Sequence, residues 1–147
     1  MESGAGAAEG PGEGAEYTSE MSGKPVFEAA YETTFCATHV LTRDGRPLEP
    51  LHGHDWRVEA VAQGDSLDAI GVVVDFEELK QAVGAVAARF HYADVNAHPD
   101  FAGKSPSAEE MARYFFHEVR KGMGKDGHFL KRVRVWEAPG CSATYSE

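Results

Sequence analysis

Two histidines separated by a single glycine, His52 and His54 in the stretch EPLHGHDW, have the residue type and spacing of metal ligands. Side chains at positions i and i+2 of a strand point to the same face, so both imidazoles can reach one ion. His39 ends an earlier apolar segment, and an antiparallel neighbour would bring it opposite the pair. Three imidazoles are a known zinc donor set that leaves a fourth position open. The pattern favours a zinc site, although hydrogen-bonded or surface histidines are the alternative.

The other histidines lack this spacing. His98, His117 and His128 stand alone in the sequence and are interpreted as solvated or structural side chains. His91 follows a predicted helix. It is either an acid or base, because imidazole titrates near neutral pH, or a helix C-terminal residue stabilised by the helix dipole.

The composition of the 147 residues, 42% hydrophobic and 26% charged, is typical of one globular domain. The formal net charge is −10, which argues against a nucleic-acid-binding protein, because such proteins carry a basic surface. No apolar run reaches the roughly 18–20 residues that span a bilayer, so we expect no membrane association. The N-terminus lacks the pattern of a secretory signal, and Cys36 and Cys141 do not form a disulfide framework. We therefore expect a cytoplasmic protein with reduced thiols.

The chain divides into an acidic Gly/Ala-rich tail over residues 1–23, predicted to be disordered, and a folded domain over residues 24–147. The periodicity of apolar residues predicts the order β-β-α-α-β-β, with Asp75 and Ser107 as helix N-caps. Paired strands and paired helices in this order favour an α+β fold, an antiparallel four-stranded sheet with two helices on one face. The predicted strands cover residues 26–40, 52–63, 129–138 and 142–146.

Five stretches, in order along residues 26–146, resemble motifs of the 6-pyruvoyl-tetrahydropterin synthase and 6-carboxy-tetrahydropterin synthase family. They are FCATH (35–39), LHGHDWRVEA (51–60), VVVDFEELK (72–80), SPSAEEMA (105–112) and VRVWEAPGCSATY (133–145). The resemblance implies a tunnelling fold, whose subunits join edge to edge into a β-barrel. We accordingly expect a homo-oligomer, a trimer, tetramer or hexamer, in which the two open sheet edges are paired.

The resemblance also implies a chemistry. Zn²⁺ would be held by His39, His52 and His54, and the substrate would be a reduced pterin triphosphate, 7,8-dihydroneopterin triphosphate. Glu137, in the motif WEA, matches the glutamate that anchors the pterin ring, since a carboxylate accepts two parallel N–H bonds. The alternative for Glu137 is a surface glutamate at the end of a strand.

One departure from the family concerns the catalytic cysteine. Typical members have a catalytic cysteine a few residues before His-Gly-His, whereas RPLEPLHGH contains none and Leu48 stands at that position. Cys36 differs in strand parity from His39 and should face the other side of the sheet. Glu49 stands where a subset of the family has a glutamate, and a carboxylate near zinc can act as a general base. The alternative is that Glu49 is a loop residue beside Pro50.

A second departure lies in RFHYADVNAH, where the family has an Asp-His pair followed by Leu-Asn. Counting back from Val95 and Asn96 places His91 on the aspartate and Tyr92 on the histidine. A one-residue insertion would instead place His91 on the histidine, with Phe90 on the aspartate. The pair is broken in both alignments, and His91 remains a candidate catalytic residue.

Three functions agree with this pattern. The favoured one is a zinc-dependent lyase of the 6-carboxy-tetrahydropterin synthase type, in the route to queuosine and other 7-deazaguanines. The second is side-chain cleavage to 6-hydroxymethyl-dihydropterin, a folate precursor, with Glu49 in the place of the cysteine. The third is a non-catalytic protein that binds zinc and pterin.

Overall fold

The computed structural model describes residue 23 and residues 25–147, so the expectation of a disordered tail lies almost wholly outside the described residues. Nine helices and strands are assigned within the described part of the chain. In chain order they are β1 (Phe27–His39), β2 (Thr42–Arg43), β3 (Arg46–Pro47), β4 (His52–Gly64), α1 (Phe76–Ala88), β5 (Ala93–Asp94), α2 (Ala108–Gly122), β6 (Leu130–Ala138) and β7 (Cys141–Ser146). Single 3-10 turns lie at Val95–Ala97 and Pro99–Phe101, and a longer one at Gly124–Phe129.

The sheet has the order β5-β1-β4-β6-β7, and its four long strands are antiparallel neighbours. The predicted α+β fold, with two helices on one face of an antiparallel sheet, is confirmed. The structure adds β5, a two-residue parallel strand beside β1. It forms because the chain leaving α1 crosses to the open edge of β1, where the backbone N of Tyr92 donates to the carbonyl of Cys36 at 2.6 Å.

Strand alternation creates the core. On β1, Phe35, Ala37 and His39 face inward, and on β4 the even-numbered residues from Trp56 onward do the same. The two helices cover this face with apolar stripes that the spacing of the sequence predicted. The buried residues of these stripes include Leu79, Val83 and Val86 of α1, and Met111, Phe115 and Val119 of α2.

Both predicted helix caps are present. A side-chain oxygen of Asp75 accepts from the backbone N of Glu77 at 2.9 Å, and the hydroxyl of Ser107 accepts from Glu110 N at 3.1 Å. These bonds fix where α1 and α2 begin, and Pro106, just before Ser107, is thereby placed near the end of β1. None of the helices in the described chain combines the length and apolarity needed to cross a bilayer.

Two glycines make a matched test of this packing. A Cβ on Gly127 would lie 2.5 Å from the backbone oxygen of Arg120, whereas a Cβ on Gly84 would meet nothing within 4 Å. We expect Gly127→Ala to destabilise the protein by about 1–3 kcal/mol through overpacking. Gly84→Ala, inside α1, should stabilise it by up to about 1 kcal/mol. Urea unfolding measures both changes, and equal effects of the two substitutions would contradict the packing around Gly127.

Candidate metal centre

The three histidines meet because of the register between β1 and β4. His39 is paired directly with His52, and Ala37 is paired with His54. All three histidine side chains are on the helix-covered face, at the end of the sheet where β1 finishes and β4 begins. The sequence-based expectation that an antiparallel neighbour brings His39 opposite the pair is confirmed as geometry.

A fourth side chain joins them. Oε1 of Glu137, on β6, lies 2.7 Å from Nε2 of His39, 3.1 Å from Nε2 of His54 and 3.9 Å from Nε2 of His52. One ligand atom from each of these four residues falls within 4.8 Å of all the others. Three imidazole nitrogens and one carboxylate oxygen, aimed at one point, form a donor set that could hold a metal ion.

In two of the three histidines, Nδ1 is hydrogen-bonded to a backbone carbonyl. Nδ1 of His39 is 2.9 Å from the carbonyl oxygen of Pro106, and Nδ1 of His52 is 2.9 Å from that of Pro50. A carbonyl only accepts, so each Nδ1 donates a proton in these contacts, which leaves Nε2 as the nitrogen that can bind a metal ion. Metal-bound histidines are typically oriented by such a bond from the other ring nitrogen.

The indole of Trp56 packs against the histidine cluster. Trp56 is fully buried, and its ring lies edge-on to His39 at a centroid distance of 4.7 Å. Its Nε1 donates to the carbonyl of Ala37 at 3.3 Å, which satisfies its polar atom and holds the ring in place. His39 is also fully buried, whereas the side chains of His52 and His54 are partly exposed. Solvent therefore reaches the cluster from the side of His52 and His54.

In two of the three histidines, Nε2 has no hydrogen-bond partner among the described residues. Nε2 of His39 and Nε2 of His54 are both buried without a hydrogen bond, despite the proximity of Glu137. Oε1 of Glu137, at 2.7 Å from His39 and 3.1 Å from His54, is the carboxylate oxygen beside both nitrogens. Burial lowers the pKa of His54, and the neighbouring His39 and His52 lower it further, against an opposing effect of Glu137. The neutral form that binds metals is therefore favoured at His54.

The resemblance in sequence predicts a contact between Glu137 and the pterin ring, and does not predict its place beside the three histidines. Strand parity contained the signal, because Glu137 shares the face of the buried residues Val133 and Val135. The missing information was that β6 lies next to β4, with Arg57 paired to Trp136. That neighbourhood is set by the whole sheet order and not by any local pattern.

Glu49 lies at the edge of the cluster. Its Oε1 is 3.9 Å from Nε2 of His52 and accepts a hydrogen bond from the backbone N of Leu41 at 3.1 Å. The side chain is 35% exposed, so it is reachable by a molecule bound at the histidines. The structure thus brings the predicted catalytic carboxylate and the predicted metal ligands together.

His91 lies apart from the histidine cluster, at the edge of β1 that pairs with β5. Its Nδ1 accepts a hydrogen bond from the backbone N of Cys36 at 3.2 Å, and its ring lies against that of Tyr92 at a centroid distance of 3.8 Å, with the two planes tilted by 38°. The ring is bonded to the strand and not to the end of α1. A catalytic role for His91 remains a prediction.

A cavity of about 500 Å³ lies beside the segment that follows α1. Its lining includes Thr38, Asp55, Tyr92 and Asp94, together with His54 of the cluster. The volume is in the range of small-molecule sites. A molecule in this cavity would contact the segment that follows α1, and His54 is the one residue of the cluster among its lining residues.

Cys36 is not placed to replace the missing cysteine. It faces away from His39, as strand parity predicted, and its thiol donates to Oδ1 of Asp55 at 2.8 Å. This hydrogen bond, with burial and the negative charge of Asp55, raises the pKa of the Cys36 thiol. A raised pKa reduces the thiolate fraction at neutral pH, so Cys36 is a poor nucleophile.

Thiol alkylation tests this assignment. In a Cys141→Ser background, Asp55→Asn should lower the pKa of Cys36 and make its reaction with iodoacetamide at pH 7 measurably faster. Glu59→Gln, a carboxylate removed from the same face of β4 without a contact to Cys36, is the control and should leave the rate unchanged. A rate unaffected by Asp55→Asn would show that the carboxylate of Asp55 does not raise the pKa of the Cys36 thiol.

Comparison with known proteins gives similarities along the folded domain. A 6-pyruvoyl tetrahydropterin synthase of Drosophila melanogaster is 28% identical over 133 residues, covering 81% of this chain and 79% of that protein. A 6-carboxy-5,6,7,8-tetrahydropterin synthase of Haemophilus influenzae is 23% identical over 144 residues, covering 83% of this chain and all of that protein.

Solved structures give the same fold. The 6-pyruvoyl tetrahydropterin synthase of Caenorhabditis elegans superposes with a TM-score of 0.76 at 20% identity, over 84% of this chain and 97% of that one. The Plasmodium vivax enzyme, in a catalytic-residue mutant that replaces a glutamate by alanine, gives 0.68 at 20% identity, over 84% and 98%. The model of the family described as 6-pyruvoyl tetrahydropterin synthase matches residues 28–147. With that match extending over the cluster and all four long strands, the chain belongs to the 6-pyruvoyl tetrahydropterin synthase family.

Proposed function

We propose that this protein is a zinc-dependent lyase that acts on the side chain of 7,8-dihydroneopterin triphosphate, with a 6-carboxy-5,6,7,8-tetrahydropterin synthase type of reaction. The observation that carries the proposal is the convergence of three imidazole Nε2 atoms and one carboxylate within 4.8 Å. The names of the Drosophila and Haemophilus relatives support a reduced pterin as the substrate class.

The donor set fits zinc. Tetrahedral zinc binds histidine nitrogens at about 2.0–2.1 Å, which puts neighbouring ligand atoms about 3.3 Å apart. The four atoms here lie within 4.8 Å of one another, and the two buried Nε2 atoms lack hydrogen bonds. His39, His52 and His54 would hold the ion. Bound zinc would polarise the hydroxyls of the pterin side chain and make the adjacent C–H more acidic.

Proton transfer falls to Glu49 in this proposal. A general base must lie within reach of the proton it removes, and Glu49 is the carboxylate at the open rim of the cluster, 3.9 Å from His52. The bond from Leu41 N fixes one of its oxygens and leaves the other free. In the Plasmodium vivax relative a glutamate is described as the catalytic residue, which supports a carboxylate in this role.

Glu137 has two roles open to it. As a fourth ligand it would complete the tetrahedron, and as a pterin anchor it would accept two N–H bonds from the ring. In both roles the carboxylate stays at the cluster, where its Oε1 is 3.1 Å from Nε2 of His54.

A second candidate is supported by a specific observation. The loop before His52 has Glu49 and no cysteine, and Cys36 is directed away and bonded to Asp55. A carboxylate base without a thiol favours side-chain cleavage to 6-hydroxymethyl-dihydropterin, the folate-type reaction. The queuosine route and the folate route therefore predict different products from the same substrate.

Product identification separates the candidates. Zinc-loaded protein is incubated with 7,8-dihydroneopterin triphosphate, and the products are identified by mass spectrometry. We expect 6-carboxy-tetrahydropterin with acetaldehyde and triphosphate. Hydroxymethyl-dihydropterin would establish the folate-type reaction instead. Substrate that binds and stays unchanged would establish a non-catalytic pterin-binding protein.

We also propose a homo-oligomer. One edge of β7 has no neighbouring strand within the described chain, and β5 covers only two residues of the open edge of β1. Exposed strand edges of this length promote pairing, and a ring of identical subunits removes them. The exposed Val26 and Phe27, at the start of β1, add apolar surface at this edge. Sedimentation equilibrium gives the subunit number, and a monomer would contradict the proposal.

A further inference from the structure

The side chain of Asn96 takes the place of a strand partner at the end of β1. β5 pairs with β1 in parallel at Ala37↔Ala93 and Thr38↔Asp94, a register that would continue to Val40 opposite Asn96. The backbone cannot continue there, because Val95–Ala97 turns into a 3-10 helix. Instead, Oδ1 of Asn96 accepts from Val40 N and Nδ2 donates to Val40 O, both at 2.9 Å. A side-chain amide has the donor and acceptor of a peptide group, so it can extend the ladder by one step.

Asn96 is itself held in place. Its backbone N donates to Oδ1 of Asp94 at 3.1 Å, which caps the 3-10 turn, and the neighbouring Val95 is fully buried. The amide thus projects from an anchored turn. Its two bonds to Val40 are short and part-buried, where the loss of one partner is costly.

The two hydrogen bonds between Asn96 and Val40 restrict the backbone next to His39. His39 lies between Thr38, paired with Asp94, and Val40, which is clamped by Asn96. With Nδ1 bonded to Pro106 O as well, the direction of Nε2 is set by the backbone on both sides of the ring. We propose that Asn96 is a positioning residue for the metal centre: it fixes the backbone after His39 so that Nε2 meets the nitrogens of His52 and His54. This inference rests on the proposed function in taking zinc as the ion.

Two other side chains hold the same segment by one bond each. Glu49 accepts from Leu41 N at 3.1 Å, and the hydroxyl of Ser105 accepts from Thr42 N at 2.9 Å. Asn96 differs because it binds both polar groups of the residue that directly follows His39. Its loss should therefore displace the histidine more than the loss of either single bond.

Zinc and cobalt binding test the proposal without any substrate. The zinc affinity of the full chain is measured by competition with a chromophoric chelator, for wild type, Asn96→Ala, Asn96→Asp and Asp75→Ala. The aspartate keeps the shape of Asn96 and the acceptor for Val40 N but has no donor for Val40 O. Asp75→Ala is the control, because it removes a side-chain acceptor for the backbone N of Glu77 at the start of α1, away from the cluster.

We expect both Asn96 variants to bind zinc about 10- to 100-fold more weakly than wild type, the range found when the residues that orient metal ligands are lost. We also expect a changed visible spectrum of the cobalt-loaded protein, which a purely structural role would not alter. Asp75→Ala should change neither. Affinity within twofold of wild type in folded Asn96→Asp would overturn the role of Asn96. Wild-type protein that binds no zinc would overturn the proposed function, and this inference with it, whereas absent turnover with normal zinc binding bears on the proposed function alone.

Discussion

His52→Ala is expected to lower zinc affinity by at least about 100-fold, beyond what the loss of an orienting partner costs. His52 supplies one of the three converging Nε2 atoms, and its Nδ1 is already bonded to Pro50 O. An alanine leaves His39 and His54 with Glu137, a set with one nitrogen fewer. The side chain of His52 is 33% exposed, so the variant should fold and the loss should be confined to metal binding.

His117→Ala is the matched control for that experiment. His117 is 45% exposed, and its Nε2 lies 3.6 Å from a carboxylate oxygen of Glu147, outside the cluster. Zinc content is measured by elemental analysis of both variants after dialysis against a weak chelator. One equivalent of zinc retained by His52→Ala would remove this histidine from the site. A comparable loss in His117→Ala would mean that zinc is held elsewhere.

The part of the site that could be predicted from the sequence is the part that depends on local periodicity. His52 and His54 share a face because they are two residues apart, and His39 precedes them within hairpin distance. The same reasoning placed Cys36 on the opposite face, where it bonds to Asp55. Helix starts at Asp75 and Ser107 followed from capping chemistry, which also acts within a few residues.

The contacts that complete the site join distant parts of the chain, and no local pattern contains them. Glu137 reaches the histidines because β6 is the neighbour of β4, and Pro106 reaches His39 from 67 residues away. β5 was missed for a related reason. Two residues are too few to show periodicity, and they pair only because the chain leaving α1 passes along β1.

The family resemblance supplied the roles, and the structure tests their compatibility. Glu49 and the three histidines are compatible, since Glu49 lies 3.9 Å from His52. His91 is bonded to Cys36 N on the other side of β1, and its neighbour Tyr92 lines the cavity that His54 also lines. His91 therefore lies along the edge of β1 that pairs with β5, and not among the converging imidazoles.

Glu49→Gln is expected to reduce turnover of 7,8-dihydroneopterin triphosphate by about 10²- to 10⁴-fold, the usual contribution of a positioned general base. Glutamine has the shape of glutamate and keeps an oxygen that can accept from Leu41 N, so the loop after His39 should be preserved. It cannot take up a proton at neutral pH. Zinc affinity should stay within a few-fold of wild type, because the ligands His39, His52 and His54 are untouched.

Single-turnover rates and zinc titrations on the same preparations separate the two effects. Glu77→Gln, on the first turn of α1, removes one negative charge outside the cluster and should leave turnover at the wild-type level. Unchanged turnover in Glu49→Gln would exclude Glu49 as the base and leave the proton transfer to another group, such as His91. Turnover and zinc lost together would instead assign Glu49 to the metal centre, because a base that only takes a proton from the substrate is not needed to hold the ion.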